Sequence, residues 1–287
     1  MSSSEVVGAL DIGGTHVTSG RVDVAARAVE GRERVPLADT ASRAEVVAAI
    51  TGAATSIARD DVRRLGLAVP GPFDYATGVS RIAHKLHGLY GVDLRSELCG
   101  ALRLEADHVR FLNDAEAFLL GEWWAGAARG HHRAVGVTLG TGLGSAFIED
   151  GKIVPRNVPL YELSFRGAPV EDTISSRGLL SGYAPSSAGR IEVEDVAARA
   201  EAGENAARAA FEELGQALGE FLRPRLRAFE PGCLVVGGSI ARSWELIRSK
   251  LVSELRPVAS LETVTVAQHL DDAALLGAAR HVAAGAG

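Results

Sequence analysis

The chain has 287 residues and a formal net charge of −6, with 47% hydrophobic and 23% charged residues. This length exceeds that of one typical domain, and this composition excludes a disordered or fibrous chain. The charges form no long run of one sign, which argues against a nucleic-acid partner, and no apolar run is long enough to span a membrane. The first residues lack the basic and apolar regions of a signal peptide, so we expect a cytoplasmic protein whose partners are small molecules.

The first part of the chain alternates apolar runs with glycine-rich turns and helical patterns. Strands are predicted over residues 6–12, 17–23, 65–69 and 109–112, and helices after residue 42 and over residues 115–128. Ser42 and Glu45 form a capping box, which marks the start of the first helix. Asn113 and Asp114 stand at the start of the second helix, where either residue could be the cap. Residues 73 to about 94 show few periodic signals, which is typical of a binding loop.

The rest of the chain repeats this alternation, which indicates an α/β fold. Strands are predicted over residues 134–139, 145–148, 233–236 and 263–267, and helices over 194–229 and 273–284. Both halves of the chain open with a strand, a glycine-rich turn, a second strand and an acidic turn. This duplication predicts two similar α/β domains that face each other across a cleft. We expect a small domain of residues 1–113 with the C-terminal helix 273–287, and a large domain of residues 114–272.

Two glycine-rich turns lie between strands, one at Gly13-Gly14-Thr15 and one at Gly140-Thr141-Gly142-Leu143-Gly144. Backbone N–H groups that no Cβ obstructs suit the oxygens of a phosphate. The chain lacks the GxxxxGK[ST] motif of Walker ATPases, and the second turn leads into a strand instead of the helix that a dinucleotide fingerprint requires. Each turn alone could be only a tight hairpin. Their occurrence at matching places in both halves favours a polyphosphate site.

Two aspartates are candidate functional groups. Asp11 ends the first strand beside the first glycine turn, where a carboxylate can hold hydrated Mg²⁺ near phosphates; the alternative is a residue that only stabilises the turn. Asp114 is either a general base at the cleft or a helix cap. Gly237-Gly238-Ser239 follows an apolar strand, and this turn either lies against a nucleotide or simply joins a strand to a helix.

Six motifs occur in an order that resembles the ROK family of sugar kinases and repressors. They are Asp11-Ile12-Gly13-Gly14-Thr15, Pro70-Gly71-Pro72, Asn113-Asp114-Ala115-Glu116-Ala117, Thr138-Leu139-Gly140-Thr141-Gly142-Leu143-Gly144, Asp150-Gly151-Lys152 and Val235-Val236-Gly237-Gly238-Ser239-Ile240. The resemblance spans nearly the whole chain. It implies the actin-like ATPase fold, related to ribonuclease H, with ATP and Mg²⁺ in a cleft between two domains. It also implies transfer of the γ-phosphoryl group to a hydroxyl of a hexose.

The resemblance assigns roles to individual residues. It implies that Asp114 is the catalytic base, that Asn113 and Gly71 bind the sugar, and that Asp11 holds Mg²⁺ through water. The residues implied to bind the nucleotide are Asp11, Gly13, Gly14, Thr15, Thr141, Gly142, Gly237 and Gly238. Gly237 and Gly238 are expected on the adenosine side of the nucleotide. The residues expected at the phosphates are Gly13, Gly14, Thr15, Thr141 and Gly142.

One segment departs from the family pattern. The family has Glu-x-Gly-His, a cysteine-rich zinc knuckle and then a glutamate, whereas this chain has Glu162-Leu163-Ser164-Phe165 and then Glu171. Because the segment holds neither cysteine nor histidine, we expect no structural zinc. Glu162 and Glu171 could accept hydrogen bonds from sugar hydroxyls, or they could be solvated loop charges. Phe165 stands where the family has the histidine and offers no hydrogen bond, so we expect discrimination between sugars to rest on Glu162 and Glu171.

The leading hypothesis is therefore an ATP-dependent kinase that phosphorylates a hexose or an amino-hexose, with the 6-hydroxyl as the expected acceptor. The alternative is a non-catalytic ROK protein that binds or senses a sugar. Repressors of the family carry an added N-terminal helix-turn-helix domain, and a first strand at residue 6 leaves no room for one. We also expect a homodimer, with neither nucleic acid nor membrane as a partner.

Overall fold

The computed structural model describes residues 5–38, 40–59, 61–83, 86–183 and 191–285. The chain divides into two compact units, one formed by Met1–Arg129 with Asp271–Gly287 and the other by Gly130–Leu270. The main sheet of each unit has five strands within these described ranges.

The N-terminal segment of the first unit comprises Met1–Arg129. Its elements are β1 (Val6–Ile12), β2 (His16–Asp23), β3 (Ala28–Pro36), α1 (Arg43–Ile57), β4 (Leu65–Val69), β5 (Phe73–Asp74), β6 (Val79–Ser80), α2 (Leu94–Leu102), β7 (Val109–Asn113) and α3 (Asp114–Ala125). The sheet has the order β3-β2-β1-β4-β7, in which β1, β4 and β7 run parallel and β2 is antiparallel to both of its neighbours.

The second unit follows and the chain then returns to the first. The remaining elements are β8 (Arg133–Leu139), β9 (Leu143–Glu149), β10 (Lys152–Ile153), β11 (Ser164–Phe165), β12 (Ala168–Pro169), α4 (Ser176–Tyr183), α5 (Val193–Glu201), α6 (Asn205–Phe229), β13 (Cys233–Gly237), α7 (Trp244–Leu255), β14 (Thr263–Val266) and α8 (Ala273–Ala284). The sheet order β10-β9-β8-β13-β14, with β8, β13 and β14 parallel, repeats the pattern of the first sheet.

Helix α1 covers one face of the first sheet. Ser42 Oγ accepts from the backbone N–H of Glu45, and the Ser42 N–H donates to the Glu45 carboxylate at 2.8 Å, which confirms the predicted capping box. The predicted apolar face is also confirmed, because its residues are buried against the aliphatic side chains of the strands. These buried residues are Val46, Ile50, Ala53 and Ile57.

Helices α3 and α8 cross at very short range within the first unit. A Cβ on Gly121 would lie 1.9 Å from the carbonyl oxygen of Ala273, and a Cβ on Gly277 would lie 1.8 Å from that of Ala117. Only glycine allows the two backbones to approach this closely. The crossing holds α3 in the first unit, whereas the sequence pattern placed the domain boundary near residue 113, before this helix.

Three further elements differ from the sequence expectation. Strand β3 was not predicted, because its exposed, charged residues lack an apolar alternation. The helical pattern over 194–229 forms two helices, α5 and α6, separated at Gly203, where φ is +98°. Helix α3 ends at Ala125 instead of residue 128. Among the described helices, none has both the length and the apolar character that crossing a bilayer requires.

Candidate functional site

The predicted site residues of the first unit gather at one edge of its sheet. Strands β1, β4 and β7 run parallel, so their carboxyl ends meet at the same edge, and Asp11 is in register with Ala68 there. This edge is where open α/β sheets bind ligands. The site residues that follow these three strand ends or lie on them are Asp11, Gly13, Gly14, Thr15, Gly71, Asn113 and Asp114.

Asn113 is the cap of helix α3. Its Oδ1 accepts hydrogen bonds from the backbone N–H groups of Ala115 at 3.0 Å and Glu116 at 3.4 Å. Its Nδ2 donates to the hydroxyl of Tyr75 at 3.2 Å. The side chain is thus fixed by its neighbours, and one Nδ2 hydrogen is left for a further acceptor.

Asp114 begins helix α3 and is half-buried. Its Oδ1 accepts from the N–H of Ala115 at 2.9 Å, which orients the carboxylate at the start of the helix. The cap itself is Asn113, so the choice that the sequence left open between these two residues is settled by the hydrogen bonds. The Asp114 carboxylate is therefore not required for capping.

Asp11 is a strongly perturbed acid. The pKa of Asp11 is raised to about 7, chiefly by burial and then by the negative charge of Asp114, while the charge of Arg34 opposes both effects. Burial also raises the pKa of Glu116, which lies on the first turn of α3, and Asp114 again contributes in that direction. Two acids at this edge therefore have raised pKa values, and perturbed pKa values are frequent at functional sites.

The first glycine turn is a closed hairpin. The N–H of Gly13 donates to the carbonyl oxygen of His16 at 2.8 Å, and the N–H of Leu37 donates to that of Thr15 at 2.7 Å. Thr15 is exposed, while Gly13 and Gly14 are partly buried. The turn thus has a fixed backbone, and its tip is open to solvent.

The two glycine turns of the second unit are packed together. Strands β8 and β13 are parallel neighbours, and their carboxyl ends lead into residues 140–144 and 237–239. Gly238 has φ +85°, and a Cβ there would lie 2.3 Å from the carbonyl oxygen of Leu139. A Cβ on Gly140 would lie 3.5 Å from Ser239 Oγ. The sheet therefore brings Thr141 and Gly142 to the same edge as Gly237 and Gly238.

Glu171 is bound to the second glycine turn. Its Oε1 accepts from the N–H of Leu143 at 2.8 Å, and a Cβ on Gly142 would lie 2.4 Å from that oxygen. Glu162 lies exposed on a short 3-10 turn, Leu160–Glu162. The two glutamates that the sequence grouped as sugar ligands thus differ in surroundings, since one contacts the turn and the other faces solvent.

A two-residue hairpin occupies the segment where the family pattern has a zinc knuckle. Strands β11 and β12 pair around Arg166 and Gly167, whose φ angles of 50° and 83° are those of a type I′ turn. The Phe165 ring packs edge-on against Phe221 of α6, with ring centroids 5.6 Å apart. Within the described ranges, no three or more His, Cys, Asp and Glu side chains are grouped as a metal site would require.

Arg166 attaches this hairpin to helix α6 by charge. Its guanidinium donates to the carboxylates of Glu213 at 2.5 Å and Glu220 at 2.8 Å, and it lies 4.9 Å from the centroid of the Phe165 ring. Both carboxylates come from the same helix. The hairpin is thus held by an aromatic contact and a forked ion pair.

The model of the ROK family matches residues 7–155 and 165–284 of the chain. The chain therefore belongs to the ROK family. The part inside the chain that the family model leaves unmatched, residues 156–164, directly precedes the hairpin at Phe165. The departure noted in the sequence, from Glu162 to Glu171, overlaps this break at residues 162–164.

Individual relatives resemble the chain over almost its full length. A glucokinase of Thermotoga maritima is 27% identical, over 94% of this chain and 95% of the relative. An N-acetyl-D-glucosamine kinase of Salmonella arizonae is also 27% identical, over 94% of this chain and 96% of the relative. The crystal structure of a ROK family glucokinase from Streptomyces griseus, in complex with glucose and AMPPNP, is 25% identical with a TM-score of 0.77, covering 96% of this chain and 98% of that one. The chain has the actin-like ATPase fold of these ROK sugar kinases.

Three residues near the site were missed by the sequence reasoning: Tyr75, His16 and Arg34. Tyr75 lies in the turn between β5 and β6, where its hydroxyl accepts from Asn113 Nδ2 and donates to the carbonyl oxygen of Val69 at 3.1 Å. Arg34 lies on a strand that was not predicted. Only the strand register shows that Arg34 shares a face of the sheet with Asp11.

Proposed function

We propose that this protein is an ATP-dependent sugar kinase that transfers the γ-phosphoryl group of ATP to a hydroxyl of a hexose or an amino-hexose, with the 6-hydroxyl as the acceptor. The names of the relatives and the glucose and AMPPNP of the similar structure support this class of reaction. The observation that carries the proposal is the pair Asp11 and Asp114 at the carboxyl edge of the first sheet, with Asn113 as the cap of α3.

Asp114 is the general base in this proposal. Phosphoryl transfer depends mainly on in-line positioning and charge neutralisation, and a carboxylate that accepts the hydroxyl proton assists the attack. The hydrogen bond from the N–H of Ala115 orients the carboxylate. Asn113 contributes its remaining Nδ2 hydrogen to a sugar hydroxyl, while Gly71 offers backbone atoms beside it. The reactive oxygen would be deprotonated as the bond to phosphorus forms.

Mg²⁺ fits the chemistry of the first site. It prefers oxygen ligands and is usually held by one or two carboxylates together with water and substrate phosphates. Asp11 provides such an oxygen, and a bound cation would stabilise its charged form against the burial and the Asp114 charge that raise its pKa. When bound with ATP, the ion would neutralise charge on the transferred phosphoryl group. Asp11 would hold it, through water.

The nucleotide is assigned to the glycine turns. In the first unit, Gly13, Gly14 and Thr15 would contact its phosphates. In the second unit, Thr141 and Gly142 would do the same, and Gly237 and Gly238 would lie on the adenosine side. Turns with a fixed backbone and little side-chain bulk suit close approach by phosphate oxygens. The short range between Gly238 and Leu139 supports a preformed turn.

The sugar side of the proposal rests on Glu162 and Glu171. Carboxylates accept hydrogen bonds from hydroxyl groups and attract an ammonium group, which favours amino-substituted hexoses as candidate substrates. Glu171 also contacts the glycine turn through Leu143, so it could join the sugar and nucleotide sites of the second unit. The Phe165 ring packs on α6 and offers no hydrogen bond to a sugar.

The test is ATP consumption by the purified protein over a panel of sugars with and without Mg²⁺. The panel contains glucose, mannose, fructose, N-acetylmannosamine, N-acetylglucosamine, glucosamine and 3-amino-3-deoxyglucose. We expect turnover with at least one sugar, dependent on the cation. Sugar binding by calorimetry without any ATP consumption would favour the alternative, a non-catalytic sugar-binding or sugar-sensing ROK protein.

A cytoplasmic location and a homodimer complete the proposal. ATP is a cytoplasmic substrate, which supports the location. Sedimentation velocity at several protein concentrations would test the homodimer, with a single monomeric species as the contradicting result.

A further inference from the structure

The strand register places the side chain of Arg34 on the same face of the first sheet as that of Asp11. Asp11 pairs with Thr18 on β2, and Thr18 pairs with Arg34 on β3. Residues paired across antiparallel strands place their side chains on the same face of the sheet. His16 precedes Thr18 by two positions and so lies on that face too. Asp11, Arg34 and His16 thus share the face beside the first glycine turn.

His16 fixes Arg34 in this position. The Arg34 Nη2 donates to His16 Nδ1 at 3.0 Å, and Thr15 Oγ1 lies 3.1 Å from the same nitrogen. An imidazole that accepts at Nδ1 carries its proton at Nε2. Burial and then the charge of Arg34 lower the pKa of His16, so the ring is neutral. A Cβ on Gly13 would lie 3.3 Å from His16 Cε1, so the ring lies against the turn.

Arg34 keeps its charge available. In the described part of the chain it forms no ion pair with a carboxylate, whereas Arg32 on the same strand pairs with Asp272 at 3.1 Å. The positive charge of Arg34 nevertheless acts on Asp11: it lowers the pKa of that carboxyl, whereas burial raises it. The chain has no lysine before Lys85 that could supply a positive charge at this turn.

We propose that Arg34 binds the terminal phosphates of the nucleotide and that His16 is the residue that positions it. This inference rests on the proposed function. A guanidinium presents a fork of N–H donors that matches the oxygens of a phosphate. Arg34 would offset the charge that the carboxylates Asp11 and Asp114 present to a polyanion, and His16 would add an Nε2–H donor beside the turn.

The first experiment measures AMPPNP binding by calorimetry in the presence of Mg²⁺ and the absence of sugar. Arg34→Met should weaken binding about tenfold or more, since it removes a charge-assisted contact. Arg32→Met is the matched control, because it removes the same charge from the same strand, and its affinity should stay within about twofold of wild type. Unchanged affinity in Arg34→Met would overturn the inference.

The second experiment tests the positioning role. His16→Ala should raise the KM for ATP with a smaller change in kcat, because Arg34 loses its acceptor. His16→Asn should recover most of the affinity, since its amide oxygen can accept from the guanidinium. Equal KM values for His16→Ala and wild type would contradict the role. A wild-type protein that binds AMPPNP but phosphorylates no sugar would contradict the proposed function alone, while one that fails to bind AMPPNP would overturn this inference as well.

Discussion

Two neighbouring residues at the start of α3 have different roles in our proposal, Asn113 as the helix cap and Asp114 as the general base. Asn113 supplies the oxygen that caps the helix, and Asp114 is oriented by the N–H of Ala115. Because the Asn113 oxygen also accepts from the N–H of Glu116, we expect the helix to keep its cap when the Asp114 carboxylate is changed.

Asp114→Asn should fold normally and lose sugar phosphorylation by about 10²–10⁴-fold, the usual contribution of a positioned base. Asparagine keeps the size and the hydrogen bond to Ala115 but cannot take up a proton. Turnover with the best sugar of the panel and the melting temperature are to be measured together. Asp107→Asn, a change at an exposed carboxylate of the same unit, is the control. An Asp114→Asn variant with wild-type kcat would remove Asp114 from the role of base.

Asp11 should make stability depend on pH in the absence of divalent cations. Its pKa is raised from 3.8 to about 7 in the folded protein, so the folded state binds more protons than the unfolded state between these values. Stability from this group is therefore greatest below about pH 4 and is lost as the pH rises towards 7. Relative to Asp11→Asn, the wild-type free energy of unfolding should fall by at most ~1.4 kcal/mol per pH unit over that range. Parallel pH profiles of the two proteins in urea would contradict the assignment.

At the scale of elements, the glycine turns depend on close backbone approach. The turn after β13 touches the end of β8 at Gly238, and the turn after β8 accommodates the Glu171 carboxylate at Gly142. Such contacts leave no room for a side chain at Gly238 or Gly142. The backbone of each turn is therefore constrained by the neighbouring atoms.

Gly238→Ala should destabilise the protein by about 1–3 kcal/mol, because an alanine would be strained at φ +85° and its Cβ would meet the Leu139 carbonyl oxygen. Gly182→Ala is the matched control. Gly182 lies in α4 with open space around it, so alanine there should be neutral or stabilising by about 0.5–1 kcal/mol. Urea unfolding curves measure both changes. Equal stability of the two variants would show that the Gly238 turn is not constrained as described.

The hairpin at Phe165 should be ordered without a metal ion, by its aromatic contact with α6 and the ion pairs of Arg166. Phe165→Ala should lower the free energy of unfolding by about 1–3 kcal/mol through loss of the contact with Phe221, since the ring is only partly buried. Purified protein should contain no stoichiometric zinc, and a chelator should leave the melting temperature unchanged. Zinc found by elemental analysis, together with a chelator-dependent fall in melting temperature, would contradict this account.

The sequence predicts the elements whose signals are local. The capping box at Ser42 and the apolar spacing of α1 are set within one helix, and both are confirmed. Strand β3 has no such signal, because an edge strand with one solvated side tolerates charged residues at most positions. The positions of Arg34 and His16 depend on register between strands, which a single pattern does not encode. The candidate site residues could therefore be predicted from motifs, whereas the neighbouring residues Arg34 and His16 could be identified only from the folded structure.

At the scale of the whole molecule, the duplication seen in the two halves of the sequence is present in the structure. The two five-stranded sheets of the described chain share one strand order and one set of strand directions. Each has a glycine turn between its first two antiparallel strands, at Gly13–Thr15 and at residues 140–142. Matching turns at the same place in two such units support the proposed nucleotide site more than either turn does alone.

The most direct measurement of the central claim is phosphorus NMR of the reaction products, with the wild type and Asp114→Asn run side by side on the best sugar of the panel. We predict one sugar monophosphate formed for each ATP converted to ADP by the wild type, and almost none by the variant. ATP converted to ADP and inorganic phosphate without a sugar phosphate, or no turnover with any hexose or amino-hexose, would contradict the account.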